Sequence, residues 1–158
     1  MRDELTSGTG YFEDFSVGQR FRHARGATIG EVENSVISKL VMNTAQGHWN
    51  EHFQLSDGSP QGGRVVFGLI TGSLVFGLAS EDIAEQAIAE LGCGGLRFMA
   101  PVKHGDTIYA LTEVLDLRPA ENGGIVLVKH WGVTHDGRVV FEGERTLLVK
   151  RRADRAGR

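Results

Sequence analysis

The hydrophobic and polar positions of the chain change their spacing along its first quarter, and each spacing is typical of a different element. The alternation over residues 19–28 predicts a β-strand. Apolar side chains then repeat at helical spacing over residues 29–42, and Thr28 and Glu31 stand three positions apart as a capping box. The pattern predicts a strand followed by a helix with one apolar face, which ends at Asn43.

A second helix is predicted from residue 66 to residue 79, where apolar residues occur around the whole cylinder. Such a helix is enclosed by other elements. Its glycines, Gly68, Gly72 and Gly77, would each cost about 0.5–1 kcal/mol relative to alanine in an ordinary helix. We therefore interpret them as points where the helix backbone approaches a sheet or a ligand closely. The helical pattern continues over residues 83–91.

The remainder of the chain alternates with the period of two that β-strands require. Strands are predicted around residues 96–99, 107–117, 125–134 and 139–149, and Asp136-Gly137 is a strong hairpin signal. A strand, two helices and a run of antiparallel strands indicate the α+β class. One antiparallel sheet wrapped around the buried second helix is the economical arrangement.

Composition limits the chain to one globular domain with short ends. Its 158 residues suit a single core, so we predict a flexible N-terminal segment over 1–10, a domain over 11–150 and a basic tail over 151–158. The net charge of -3 gives no general attraction to nucleic acid or to anionic membranes. The longest apolar segment is too short and too interrupted to cross a bilayer. A single cysteine, Cys93, excludes an intrachain disulfide and a cysteine-based metal cluster and favours the cytoplasm.

The most informative stretch runs from Asn43 to Phe53, just before the glycine-rich helix. It places an amide, Asn43, and an imidazole, His48, five positions apart. A histidine can accept and donate protons near neutral pH. A lone histidine is more often structural, so a chemical interpretation depends on the pattern around it.

That surrounding pattern resembles the MaoC-like hydratase family. Residues 11–19, YFEDFSVGQ, are similar to the family's opening, and residues 97–102, RFMAPV, followed by Gly105-Asp106-Thr107, are similar to its strand and Gly-Asp-Thr turn. The resemblance covers about residues 11–150. It implies a single hotdog domain, in which an antiparallel sheet wraps a central helix. It also implies a homodimer or larger homo-oligomer with active sites at the subunit interface.

The family's signature, Asp-x-Asn-Pro-x-His-x-Asp followed later by His-Gly, is only partly present. By resemblance the catalytic histidine falls on His48, the catalytic aspartate on Asn43, and the His-Gly pair on Phe67-Gly68. The aspartate is therefore replaced by its amide. The run Asn-Thr-Ala-Gln from Asn43 is similar to the branch that includes mesaconyl-CoA hydratase, also called β-methylmalyl-CoA dehydratase, where it is a familiar variant.

The resemblance implies an acyl-CoA hydratase or dehydratase, a carbon-oxygen lyase that reversibly adds water to a 2-enoyl-CoA thioester. Short branched and dicarboxylic acyl groups are both candidates. His48 would act as acid and base, Asn43 would orient water, and the Gly68 amide would polarise the thioester oxygen with help from the helix dipole. No metal is expected, and no cofactor beyond the coenzyme A of the substrate.

Four further residues are candidates for substrate binding. Trp49 and Phe67 would line the acyl pocket, and Arg97 and Lys103 would meet the phosphates of coenzyme A. Glu51 could supply the missing carboxylate. Each has a plainer structural interpretation, as a buried aromatic side chain or as a solvated charge.

Two alternative functions remain open from the sequence. The hotdog fold also serves acyl-CoA thioesterases, although these generally use a carboxylate near the helix, where this chain has Asn43. The other alternative is a non-catalytic protein that binds acyl-CoA.

Overall fold

The computed structural model describes residues 9–56 and 62–152 of the chain. Residues 1–8 and 153–158, within the two predicted terminal segments, lie outside this part. The described residues form short 3-10 helices at Phe12–Asp14 and Gln46–His48, the helices α1 (Glu31–Leu40), α2 (Glu51–Ser56) and α3 (Gly68–Ile83), and the strands β1 (Arg20–Thr28), β2 (Ala87–Phe98), β3 (Thr107–Ala120), β4 (Gly123–Thr134) and β5 (Val139–Val149).

The five strands form one antiparallel sheet in the order β1-β3-β4-β5-β2. One face of β3 and β4 is almost completely buried, and α3 contacts all five strands. The predicted α+β arrangement of an antiparallel sheet around a central helix is confirmed. No helix of the described residues is long and apolar enough to span a membrane.

The core lies between α3 and the sheet. Three α3 side chains, Val75, Ala79 and Ile83, are completely buried, and Phe141 of β5 is the largest fully buried side chain. The remaining core is formed mainly by β-branched residues on the inner face of the strands, which fit a pleated surface well: Ile108, Val114, Val126, Val128, Val140 and Val149.

Two of the three α3 glycines allow the close approach that the sequence predicted. A Cβ atom on Gly68 would lie 2.8 Å from the Phe98 ring, and one on Gly72 would lie 2.9 Å from the Phe141 ring. The interpretation is wrong for Gly77, since nothing lies within 4 Å of its Cβ position. Phenylalanine rings from two strands therefore occupy the space that larger α3 side chains would need.

The helix predicted to continue over residues 83–91 is wrong. The helix α3 ends at Ile83, and β2 begins at Ala87. The residues from Ala87 pair with β5, whose edge would otherwise stay unpaired. Tertiary pairing here overrides the weak helical preference of Ala87–Leu91.

The helix α1 differs from its prediction at the N-terminus. It begins at Glu31 with Gly30 as the N-cap, and the Gly30 N–H donates a hydrogen bond to the Glu33 carboxylate. The predicted capping box from Thr28 is wrong, because Thr28 ends β1 and its hydroxyl pairs with the Thr107 hydroxyl at 2.7 Å.

The apolar face of α1 is exposed in the single chain. Val32 and Leu40 are 73% and 76% exposed, whereas Asn34 and Ser38 are completely buried. The helix therefore turns polar side chains toward the protein and apolar side chains outward. This orientation places an amide group inside the structure, where it needs hydrogen-bond partners.

A chain of polar groups leads from the exposed Asp82 of α3 to buried side chains on three neighbouring strands of the sheet. Asp82 Oδ2 lies 2.6 Å from His23 Nδ1, His23 Nε2 lies 2.7 Å from Thr112 Oγ1, and the same hydroxyl lies 2.8 Å from His130 Nδ1. His130 Nε2 has no partner among the described residues. Burial, together with the charges of Arg145 and His23, lowers the pKa of His130 to about 3.

We predict that His130 makes stability depend on pH. Its folded pKa of about 3 lies below the ordinary 6.5, so between these values the unfolded chain binds a proton that the folded chain does not. The stability that this pKa difference gives the folded state is fully present above pH 6.5 and is lost as the pH falls toward 3. As the pH falls from 6.5 to about 5, the free energy of unfolding measured with urea should decrease by an amount that approaches about 1.4 kcal/mol per pH unit. This decrease should be absent in His130→Leu. Equal slopes in both proteins would contradict this assignment.

The packing of α3 generates a second prediction. Gly72→Ala should lower the free energy of unfolding, because overpacking against Phe141 costs about 1–3 kcal/mol and exceeds the helical gain of about 0.5–1 kcal/mol. Gly77→Ala on the same helix is the matched control and should be stabilising by about 0.5–1 kcal/mol. Urea denaturation measures both, and stabilisation by Gly72→Ala would contradict the packing described above.

Candidate active site

A cavity of about 480 Å³ lies beside the N-terminus of α3. Its walls come from the segment before α3, the first turn of α3, the end of β2 and the segment that follows β2. The lining residues are His48, Val65, Val66, Phe67, Gly68, Leu69, Thr71, Phe98, Met99, Ala100, Pro101, Val102 and Val140. The structure thus brings together His48, Phe67 and Gly68 of the residues selected from the sequence.

His48 reaches the cavity from the end of a 3-10 turn and is half-buried. Its Nδ1 atom lies 3.1 Å from the backbone oxygen of Val65. Because a carbonyl oxygen only accepts, Nδ1 must carry the hydrogen, and in the neutral imidazole Nε2 then carries the lone pair. The ring also packs against Phe67, with 5.4 Å between ring centroids. One backbone contact therefore selects the tautomer in which Nε2 can act as a base.

Gly68 is the first residue of α3, so its N–H has no acceptor within the helix. The preceding amide, that of Phe67, is already occupied by a hydrogen bond of 2.9 Å to Asn34 Oδ1. The partial positive charge of the helix N-terminus adds to the Gly68 N–H. This end of α3 can therefore stabilise a negative charge that develops on an oxygen atom in the cavity.

Asn34 of α1 was missed by the sequence analysis and lies directly behind this wall. It is completely buried, and its Nδ2 atom lies 2.7 Å from His48 O and 3.3 Å from Val65 O. The signal that could have found it is the pair of polar residues four apart, Asn34 and Ser38, opposite the apolar face of α1.

A charged cluster holds the outer side of the same segment. Arg64 Nε lies 2.6 Å from the Glu51 carboxylate, its Nη1 lies 3.1 Å from Ser35 Oγ, and its Nη2 donates to Glu31. The Arg64 guanidinium lowers the pKa of the Glu31 carboxyl by hydrogen bonding and by its charge. Arg64 thereby connects α1, α2 and the chain entering α3. Glu51, suggested as a replacement carboxylate, is paired with Arg64 and lies outside the cavity lining.

Asn43 and Trp49 shape the loop that carries His48. Asn43 Oδ1 accepts a hydrogen bond of 2.9 Å from the Ala45 N–H, and the Asn43 backbone oxygen accepts one of 3.0 Å from Trp49 Nε1. Met42 before them adopts a left-handed φ of 53°. Neither Asn43 nor Trp49 belongs to the cavity lining of the single chain.

The two basic candidates also lie outside that lining. Arg97 is largely exposed and lies 3.2 Å from the Glu142 carboxylate, while its neighbour Phe98 lines the cavity. Successive strand residues point to opposite faces, so Arg97 lies on the outer face of β2. Lys103 is exposed directly after Val102, and its backbone N–H donates to Asp106 at 2.9 Å. A role for either residue in binding stays a prediction.

The cavity combines apolar walls with few polar groups, as small-molecule sites generally do. His48 and the Gly68 amide are its chemical groups, and Thr71 adds a buried hydroxyl that has no hydrogen-bond partner in the described part of the chain. Among the residues that the structure describes, no group of His, Cys, Asp and Glu side chains is arranged to hold a metal ion.

Comparison with known proteins places this geometry in a family. The sequence model of the family described as mesaconyl-CoA hydratase matches residues 3–151. The chain belongs to the mesaconyl-CoA hydratase family. It is 32% identical over 155 residues to the β-methylmalyl-CoA dehydratase of Chloroflexus aurantiacus, a match that covers 93% of this chain and 42% of that protein.

Solved structures agree with the family assignment and with the hotdog fold. A putative MaoC domain protein dehydratase from Chloroflexus aurantiacus has 33% identity and a TM-score of 0.83, covering 93% of this chain and 43% of that chain. A Mycobacterium tuberculosis protein with a double hotdog fold has 26% identity and a TM-score of 0.78, covering 91% and 45%. The chain spans about two-fifths of the length of the β-methylmalyl-CoA dehydratase and of the mesaconyl-CoA hydratases that it matches.

Proposed function

We propose that this chain is an acyl-CoA hydratase or dehydratase that reversibly adds water to a 2-enoyl-CoA thioester. The observation that carries the proposal is the hydrogen bond of 3.1 Å between His48 Nδ1 and Val65 O, in a cavity that also contains the first amide of α3. This bond leaves Nε2 as the lone-pair nitrogen of an imidazole that faces an apolar chamber. A base and an electrostatic stabiliser are the two groups that hydration of an enoyl thioester requires.

In the hydration direction, His48 Nε2 accepts a proton from water as the water oxygen bonds to C3 of the enoyl group. The electrons of the C2–C3 double bond move toward C1, and the negative charge collects on the thioester oxygen. The Gly68 N–H donates a hydrogen bond to that oxygen. The proton held by His48 is then delivered to C2, which restores the thioester and the neutral imidazole. Dehydration follows the same steps in reverse.

Asn43 contributes through its amide oxygen. One lone pair of Oδ1 accepts the Ala45 N–H, and the second can hold a water molecule beside the His48 loop. An amide cannot serve as a base, so all proton transfer falls to His48.

We also propose that Phe67 and Trp49 contact the acyl group and that Arg97 and Lys103 meet the coenzyme A phosphates. A cytoplasmic location remains our expectation.

Replacing His48 should remove the activity. His48→Ala and His48→Gln should lower kcat on crotonyl-CoA or mesaconyl-CoA by about 10²- to 10⁴-fold, because general base catalysis contributes about that much. The measurement is the loss of absorbance of the conjugated enoyl group. His52→Ala is the matched control, since His52 is exposed on α2 four residues later and should leave kcat unchanged.

The same assay separates the other two functions. Release of free thiol without loss of the enoyl group identifies a thioesterase. Binding of the ester with neither signal identifies a non-catalytic binding protein. Hydration that persists unchanged in His48→Ala would show that the reaction does not use this imidazole.

We further propose that the chain forms a homodimer through β2. This strand is an edge of the sheet and is exposed along both faces from Leu91 to Phe98. Exposed strand edges favour pairing with another strand, and a two-fold axis lets one edge pair with its own copy. The longer relatives have room for a second such domain within one chain.

Light scattering after size-exclusion chromatography should give twice the mass of one chain. Leu91→Arg should shift the protein toward the monomer, because it places a charge on the apolar part of the exposed edge. Val17→Arg, at another exposed apolar position, before β1, should leave the mass unchanged. A monomeric wild-type protein, or loss of the dimer in Val17→Arg alone, would contradict this interface.

A further inference from the structure

We propose that Asn34 is a positioning residue that holds His48 and the Gly68 amide in their reactive arrangement, an inference that rests on the proposed hydratase function. Asn34 is not one of the residues that line the cavity. It is completely buried one layer behind the wall. Its amide group is the point at which α1, the His48 loop and the segment entering α3 meet.

The two sides of the Asn34 amide hold different parts of the site. On one side, Nδ2 donates to the backbone oxygen of His48 at 2.7 Å. On the other, Oδ1 accepts the backbone N–H of Phe67 at 2.9 Å. His48 and Phe67 stand 19 positions apart in the sequence, and a single planar group sets the distance between their backbones.

The carbonyl of Val65 carries the effect of Asn34 to the imidazole. It accepts from Asn34 Nδ2 at 3.3 Å and from His48 Nδ1 at 3.1 Å. Asn34 thus positions the same oxygen atom that selects the His48 tautomer. Asn34 therefore acts on the proton state of Nε2 through one intervening backbone oxygen.

Gly68 is affected through its neighbour. Because Asn34 Oδ1 takes the Phe67 N–H, the backbone direction at the start of α3 is fixed one residue before Gly68. The Val66 N–H, bonded to Val102 O at 2.8 Å, fixes the chain on the preceding side. These two hydrogen bonds orient the Gly68 N–H, since glycine has no side chain that could do so.

An asparagine is required at this position by the partners it meets. Nδ2 also lies 3.1 Å from His104 Nε2, so three acceptors surround its two hydrogens while one donor faces Oδ1. A carboxylate of the same shape keeps the acceptor and loses the donors. Because the position is fully buried, bulk water cannot replace the lost bonds.

The test uses Asn34→Asp, which preserves size, Asn34→Ala, and Ser38→Ala as the matched control. Ser38 is equally buried one turn further along α1, and its hydroxyl has no partner among the described residues. In ¹⁵N-edited NMR spectra of the histidine rings, neutral His48 of the wild type should carry its hydrogen on Nδ1. Both Asn34 variants should show a mixture with the Nε2–H tautomer, and Ser38→Ala should keep the wild-type spectrum.

Enzyme kinetics provide the second measurement. Both Asn34 variants should lower kcat on the enoyl-CoA substrate on the order of 10- to 100-fold with little change in KM, because displacement of the reacting groups affects the transition state more than binding. In a His48→Ala background, Asn34→Asp should produce a clearly smaller further loss, because only the Gly68 amide is then left to be displaced. A residue that only stabilised the fold would lower the activity of both backgrounds equally.

The outcomes separate this inference from the proposed function. If the wild type hydrates no enoyl-CoA but the Asn34 variants show the expected tautomer change, the proposed function is wrong and the positioning of His48 by Asn34 is supported. A wild-type His48 with its hydrogen on Nε2 overturns the inference without any variant. Folded Asn34 variants with the wild-type tautomer and kcat overturn it as well.

Discussion

Two positions without side chains on one face of α3 determine how closely the helix approaches the sheet. The ring of Phe98 occupies the space beside Gly68, and the ring of Phe141 occupies the space beside Gly72. The same contacts join the core to the cavity, since the Phe98 ring packs against the buried Phe141 ring and also lines the cavity. The first amide of α3 consequently lies at the cavity surface. Core packing and the electrostatics of the site thus depend on one helix–sheet distance.

The other half of the site is held by hydrogen bonds to backbone atoms. His48 sits on an irregular loop, and such a loop gains a defined geometry only from groups that bind its carbonyls and amides. Buried Asn34 supplies these groups from α1, while Arg64 connects the outer side of the same segment to Glu31 and Glu51. Because α1 directs its polar face inward, its apolar face remains uncovered in the single chain. Stability and site geometry are therefore coupled through α1.

The sequence was sufficient for the parts of the fold that depend on local pattern. Strand alternation predicted β1, β3, β4 and β5 closely, because period-two burial repeats over many residues. It failed for β2, where the edge of β5 imposes pairing on a segment with helical preference. The family resemblance pointed to His48 and Gly68, but neither it nor local pattern found Asn34, whose partners lie 14 to 70 residues away. The substitution of an amide at Asn43 is visible in the sequence, whereas its hydrogen bond to Ala45 is a property of the folded loop.

The central claim is that one imidazole and one helix N-terminal amide form a site for an enoyl thioester. It is tested most directly by a crystal structure of the wild-type chain with a non-reactive analogue of a 2-enoyl-CoA ester. We expect the acyl group inside the cavity, with its thioester oxygen about 3 Å from the Gly68 nitrogen and His48 Nε2 facing C3. Binding of the acyl group elsewhere, for example in the groove between Arg22 and Trp131 on the outer face of the sheet, would contradict it.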